Sequence, residues 1–65
     1  MFTIKDVKRE LPDVKVLIDG EVYIGRLRGR KLKYPEIYIP ERAECFTYNW
    51  ESVTRLLNEN KPIRY

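Results

Sequence analysis

Apolar and polar positions alternate with the period of a β-strand through the middle of the chain. Residues 14–18 (VKVLI) are rich in β-branched side chains, and Asp19 and Gly20 after them are a strong signal for a two-residue hairpin turn. Residues 21–28 (EVYIGRLR) then return as the second strand. Such a turn pairs residue 18 with 21, 16 with 23 and 14 with 25, which defines two faces. The predicted core face carries Val14, Val16, Ile18, Tyr23 and Leu27.

The opposite face of this hairpin has a mixed composition. It is apolar near the turn and basic at the far end, where Arg26 and Arg28 leave from the same side of the strand. Either a curled sheet covers this face in part, or the face is a contact surface. Gly25 interrupts the strand and indicates a bulge or a bend. The side chains assigned to the mixed face are Lys15, Leu17, Val22, Ile24, Arg26 and Arg28.

Two shorter strands are predicted further along the chain. They comprise residues 36–39 (EIYI) and 43–48 (AECFTY), with a turn at residues 40–42 between them. Cys45 lies in the second of these strands, and we interpret it as a small buried apolar side chain. Residues 63–65 (IRY) are expected to pack back as a short extended piece.

Helical patterns occur on both sides of these strands. Thr3 is a suitable N-cap, Asp6 completes a partial capping box, and Pro12 ends the first helix at about Leu11. A second helix follows Asn49 as its N-cap and stops at residues 60–62. Its apolar face comprises Trp50, Val53, Leu56 and Leu57. Its solvent face comprises Glu51, Thr54, Arg55 and Asn58.

These elements predict a single α+β domain over residues 1–65. The expected architecture is a small antiparallel sheet of three to four strands, with an N-terminal and a C-terminal helix covering one face. An SH3-like small barrel with appended helices is the alternative, and Gly25 as a bending point would suit it.

The composition narrows the function classes. The chain has 65 residues, one cysteine and no histidine, which removes His-based nucleophilic sites and argues against metal sites and against an enzyme. We expect no cofactor. No stretch approaches the roughly 20 apolar residues of a membrane span, and residues 1–16 lack the apolar core of a signal peptide. The expectation is a cytoplasmic protein.

The formal net charge is +3, and the bases concentrate in one stretch, GRLRGRKLKYP at residues 25–35. It holds five of the 13 Lys and Arg residues and no acid. Such a run binds phosphates by releasing counterions, and a neighbouring tyrosine can stack on bases. The competing interpretation is a solvated run that protects a sheet edge. The predicted nucleic-acid-binding residues are Lys15, Arg26, Arg28, Arg30, Lys31, Lys33 and Tyr34.

The segment NWESVTRLLNENKPI, residues 49–63, resembles the close of small uncharacterised proteins encoded by phages and plasmids of Gram-positive bacteria. This resemblance implies a mobile-element accessory protein and assigns no site residue. The order of three strands followed by a helix is also similar to the small DNA-binding domains at the start of some tyrosine integrases, although here a helix precedes the strands.

The leading hypothesis is a small nucleic-acid-binding protein, for duplex DNA before RNA, acting in regulation or on a mobile element. The alternative is a protein-interaction module, such as a phage-type inhibitor or adaptor of a host protein, in which the basic run steers an acidic partner. A homodimer formed through the mixed face is a third interpretation.

Overall fold

The computed structural model describes residues 1–65 and has an α+β fold. The strands form one five-stranded sheet in the order β4-β3-β2-β1-β5, in which β5 is parallel to β1 and all other neighbours are antiparallel. The prediction of a purely antiparallel sheet with three to four strands is therefore wrong in strand number and in strand direction. The elements are α1 (Ile4–Glu10), β1 (Val14–Ile18), β2 (Glu21–Arg28), β3 (Glu36–Ile39), β4 (Glu44–Thr47), α2 (Trp50–Glu59) and β5 (Ile63–Arg64).

The position of the second helix also differs from the prediction. Helix α2 lies between β4 and β5 rather than at the C-terminal end of the fold. Asn60 ends the helix in the left-handed conformation (φ 56°), and its N–H donates to carbonyls of the last turn. The chain then reverses and places Ile63, which is 1% exposed, beside Val16 of β1. The burial of Ile63 holds β5 against β1 and so adds a fifth strand to the sheet.

The hairpin formed by β1 and β2 has the predicted register. Ile18 is opposite Glu21, and Leu17 is opposite Val22. Asp19 and Gly20 both have positive φ angles, 49° and 81°, as a type I′ turn requires. The twist of a type I′ turn matches the twist of the two strands. The turn sets the register, and the register assigns each side chain of the hairpin to one face.

The hydrophobic core lies between the inner face of the sheet and the two helices. Val7 of α1, together with Trp50 and Val53 of α2, joins the inward-facing strand residues in one cluster. The assignment of Thr54 to the solvent face is wrong. Its side chain is buried, and its hydroxyl donates to the Trp50 carbonyl at 2.8 Å, so the hydroxyl is satisfied within the helix. The strand residues of the core are Val14, Val16, Ile18, Leu27, Ile37, Ile39 and Ile63.

The sheet is strongly curled, and Gly25 lies where β2 changes partners. Residues of β2 up to Gly25 pair with β1, whereas Arg26 and those after it pair with β3. The rings of Phe46 and Tyr65, which come from opposite edges of the sheet, stack with centroids 4.4 Å apart and an interplanar angle of 15°. The structure thus has the bend expected at Gly25, and it brings the two edges of the sheet towards each other.

Helix α1 begins with the predicted capping box. The Thr3 hydroxyl accepts from the Asp6 N–H at 3.2 Å, and the Asp6 carboxylate accepts from the Thr3 N–H at 3.0 Å. These hydrogen bonds hold the pKa of Asp6 below its ordinary value, with a further contribution from Arg9. Neither helix has the length and apolarity needed to cross a lipid bilayer.

Candidate nucleic-acid interface

The outer face of the sheet is uncovered, because both helices pack on the inner face. We call it the open face. Val22 is 56% exposed and Ile24 is 49% exposed, whereas Leu17 is half-buried. The mixed face of the sequence analysis is therefore accessible. The outward-facing strand residues are Lys15, Leu17, Val22, Ile24, Arg26, Arg28, Glu36, Tyr38, Cys45, Thr47 and Arg64.

Three apolar side chains of the open face, Leu17, Val22 and Ile24, form a patch that cations border. Arg64 of β5 lies beside Leu17, and Lys15 lies opposite Ile24. Further along β2, the outward-facing residues after Ile24 are Arg26 and Arg28. The arrangement is an apolar patch at the turn end of the hairpin, with positive charge beside it on β1, β2 and β5. The open-face cations are Lys15, Arg26, Arg28 and Arg64.

None of the open-face cations forms an ion pair. Four of the ten acidic side chains form ion pairs, and their partners are other cations of the chain, Arg9, Arg42, Arg55 and Lys61. The Lys15 ammonium donates to the Asn60 side-chain carbonyl at 3.0 Å, which leaves its charge uncompensated. The Arg28 guanidinium lies 4.2 Å from the centroid of the Tyr38 ring, a cation–π contact that orients the side chain without neutralising it.

Glu36 is the one carboxylate among the outward-facing strand residues. It is half-buried and opposite Arg28 in the β2–β3 register. Its carboxylate accepts from the Cys45 thiol at 3.7 Å. The open face is therefore positive, with a single acid, which lies on β3.

The interpretation of Cys45 as a buried side chain is wrong. Cys45 is exposed, because the β3–β4 register places it opposite Tyr38 on the open face. Desolvation raises the pKa of the thiol, the neighbouring Glu36 carboxylate raises it further, and Arg28 partly opposes both effects. The thiol is therefore protonated at neutral pH and is a weak nucleophile.

The five bases of residues 25–35 do not share one surface. Arg26 and Arg28 lie on the open face, but Arg30 turns towards α1. Its Nε donates to the Lys8 carbonyl at 2.8 Å and its guanidinium NH2 donates to the Arg9 carbonyl at 2.9 Å. These carbonyls end helix α1, so Arg30 satisfies acceptors that the helix itself leaves free.

The connection between β2 and β3 packs against the start of α2. It contains three of the predicted residues, Lys31, Lys33 and Tyr34. The Trp50 indole N–H donates to the Leu32 carbonyl at 3.0 Å, which anchors it there. Lys33 and Tyr34 line a groove of about 430 Å³ at this point, together with Trp50. Lys31 is exposed in the same connection. The β2–β3 connection thus provides a second basic surface, separate from the open face, and its groove is also lined by Glu51.

Arg64 and Tyr38 lie on the open face and were not among the predicted nucleic-acid-binding residues. Alternation in the tail, with Ile63 inward and Arg64 outward, is the signal for the first. For Tyr38 the signal is the alternation along β3, in which Ile37 and Ile39 face inward and Tyr38 faces outward. Arg64 and Leu17 also line a groove of about 440 Å³ next to β5.

No protein-family model, curated protein or solved structure matches this chain. The resemblance to phage and plasmid proteins stays a prediction, and so does the similarity to the integrase domains. Any assignment of function therefore rests on the geometry and charge of the surface.

Proposed function

We propose that this protein binds duplex DNA through the open face, in a regulatory or mobile-element accessory role. The observation that carries the proposal is the set of four open-face cations without an ion pair on an uncovered sheet. Unpaired cations on one face attract a polyanion, and each phosphate contact gains free energy by releasing condensed counterions.

The size of the open face suits the major groove. Neighbouring strands lie about 4.8 Å apart, so β5, β1 and β2, which lie side by side at Leu17, together are about 10 Å wide. The major groove is about 12 Å wide and admits β-ribbons. In this arrangement β2 lies along the groove. Arg26 and Arg28 then reach phosphates or guanine edges, and Lys15 and Arg64 face the opposite phosphate strand.

The test is a fluorescence-anisotropy titration of a 20-base-pair duplex at several salt concentrations. Each phosphate contact contributes about −0.9 to the slope of log K against log salt concentration. Four contacts predict a slope of about −3.6 and a loss of about 150-fold in affinity between 50 and 200 mM salt. Absence of binding at 50 mM salt would refute the proposal.

Charge-matched variants locate the contact surface. We expect Arg26→Ser and Arg28→Ser each to reduce the magnitude of the slope by about one unit. Arg55→Ser on α2 makes the same charge change on the helical side and should leave the slope unchanged. Lys31→Ser separates the two basic surfaces, because it reduces the slope only if the β2–β3 connection also reaches phosphates.

Protein binding is the competing function, and the exposed apolar pair Val22 and Ile24 favours it. It predicts a host protein recovered after nuclease treatment, in a complex that survives replacement of the five bases of residues 25–35 by serine. That result, together with a flat salt dependence for DNA, would replace the DNA-binding proposal.

A further inference from the structure

We infer that the apolar patch of Leu17, Val22 and Ile24 recognises thymine methyl groups in the major groove. This inference rests on the proposed DNA-binding function and assigns it a base preference. The cations around the patch would hold the phosphates, and the patch would contact the bases between them.

The position of the patch supports this role. It lies at the turn end of the β1–β2 hairpin on the open face, with Lys15 and Arg64 on one side and Arg26 further along β2. Cations at the border of a sheet that enters a groove meet the phosphates first. The side chains that lie between these cations are then directed to the groove floor, where the base edges are.

The chemistry of the patch selects one group on that floor. The patch has only aliphatic side chains, which neither donate nor accept hydrogen bonds, so it cannot recognise amino, carbonyl or ring-nitrogen edges. The C5-methyl group of thymine is the apolar group in the major groove. A cytosine amino group placed against the patch would lose its water without gaining a partner.

The spacing along β2 sets the pattern of thymines. Val22 and Ile24 point to the same side and lie about 6.8 Å apart, because each strand residue rises about 3.4 Å. Base pairs rise about 3.4 Å along the helix axis. The two side chains thus meet methyl groups about two base pairs apart. Both are β-branched and stiff at χ1, so little rotamer entropy is lost on contact.

The test compares one duplex rich in thymine with the same duplex in which deoxyuridine replaces thymidine. Deoxyuridine keeps the base pairing and the phosphates and removes only the methyl groups. One buried methyl group corresponds to about fourfold in affinity, so two predict about 15-fold tighter binding of the thymine duplex. The slope against salt should be the same for both duplexes.

Variants assign the effect to the patch. Val22→Ser and Ile24→Ser, made together, remove the methyl groups of both side chains and should abolish the preference for thymine, whereas Cys45→Ser on the same face should leave it intact. Circular dichroism melting confirms that each variant is folded. Equal affinity of the unmodified protein for the two duplexes, with a steep salt slope, would overturn this inference and leave the proposed function standing. Absence of binding to both would overturn the proposed function itself.

Discussion

The packing around Gly25 predicts that the substitution Gly25→Ala will destabilise the fold. A Cβ atom at this position would lie 2.7 Å from Cγ2 of Ile37 and 2.9 Å from Cγ2 of Val16. Carbon atoms pack best at about 3.5–4.0 Å, so both contacts are repulsive. The two side chains belong to the strands on either side of β2, are fully buried, and are β-branched, which leaves them little freedom to move.

The magnitude follows from two opposing terms. Overpacking by a methyl group costs about 1–3 kcal/mol, whereas replacing glycine by alanine in a strand recovers about 0.5–1 kcal/mol of chain entropy. The net loss in the free energy of unfolding is therefore about 1–2 kcal/mol. For a domain of this size it corresponds to a decrease of about 10 °C in Tm, measured by circular dichroism.

Two further variants separate the clash from other effects of the added methyl group. At Gly20 a Cβ would meet nothing within 4 Å, but φ is +81°, so Gly20→Ala measures backbone strain alone, about 1 kcal/mol. Val16→Ala removes one of the clashing methyl groups. We therefore expect the double variant Gly25→Ala with Val16→Ala to lose less stability than the sum of the single losses. Strict additivity, or an unchanged Tm for Gly25→Ala, would refute the description of the curled sheet.

Three other predictions concern single side chains. Asp6→Asn should lower Tm at pH 7, and its difference from the unmodified protein should shrink as pH falls below 3.8 through the folded-state pKa, because the depressed pKa of Asp6 stabilises the fold only while the carboxyl is ionised. Arg30→Lys keeps the charge but cannot bridge two carbonyls at the end of α1, so Tm should fall by a few degrees while the salt slope of DNA binding is unchanged; a lost slope with unchanged Tm would contradict this assignment. Cys45 should react with iodoacetamide more slowly at pH 8 than a free cysteine peptide, since desolvation and Glu36 raise its pKa, and faster alkylation would contradict the effect of these neighbours.

The parts of the fold that the sequence predicted are those fixed by local interactions. Asp19 and Gly20 determine a type I′ turn, that turn sets the register of β1 and β2, and the register assigns each side chain to a face. The capping box of α1 is equally local, because its two partners are three residues apart. Such features are visible in a short window of sequence.

The parts that the sequence did not predict depend on contacts between distant residues. Strand β5 is the extended tail predicted at residues 63–65, but its pairing with β1 was not predicted, because it depends on Ile63 completing the core beside Val16. Arg30 was predicted to bind nucleic acid. Its hydrogen bond to the end of α1 forms only in the folded chain, so the sequence does not reveal it. The exposure of Cys45 follows from its register against Tyr38, which residue type alone does not reveal.

The stack of Phe46 on Tyr65 has a consequence for self-association. Unpaired strands at the edges of a sheet are where foreign strands add and where fibres begin. The ring stack holds the strands of the two edges, β4 and β5, towards each other, and both of these strands are short. An aromatic pair contributes only about 1 kcal/mol to stability. Loss of the stack would therefore increase aggregation at high protein concentration more than it lowers the free energy of unfolding.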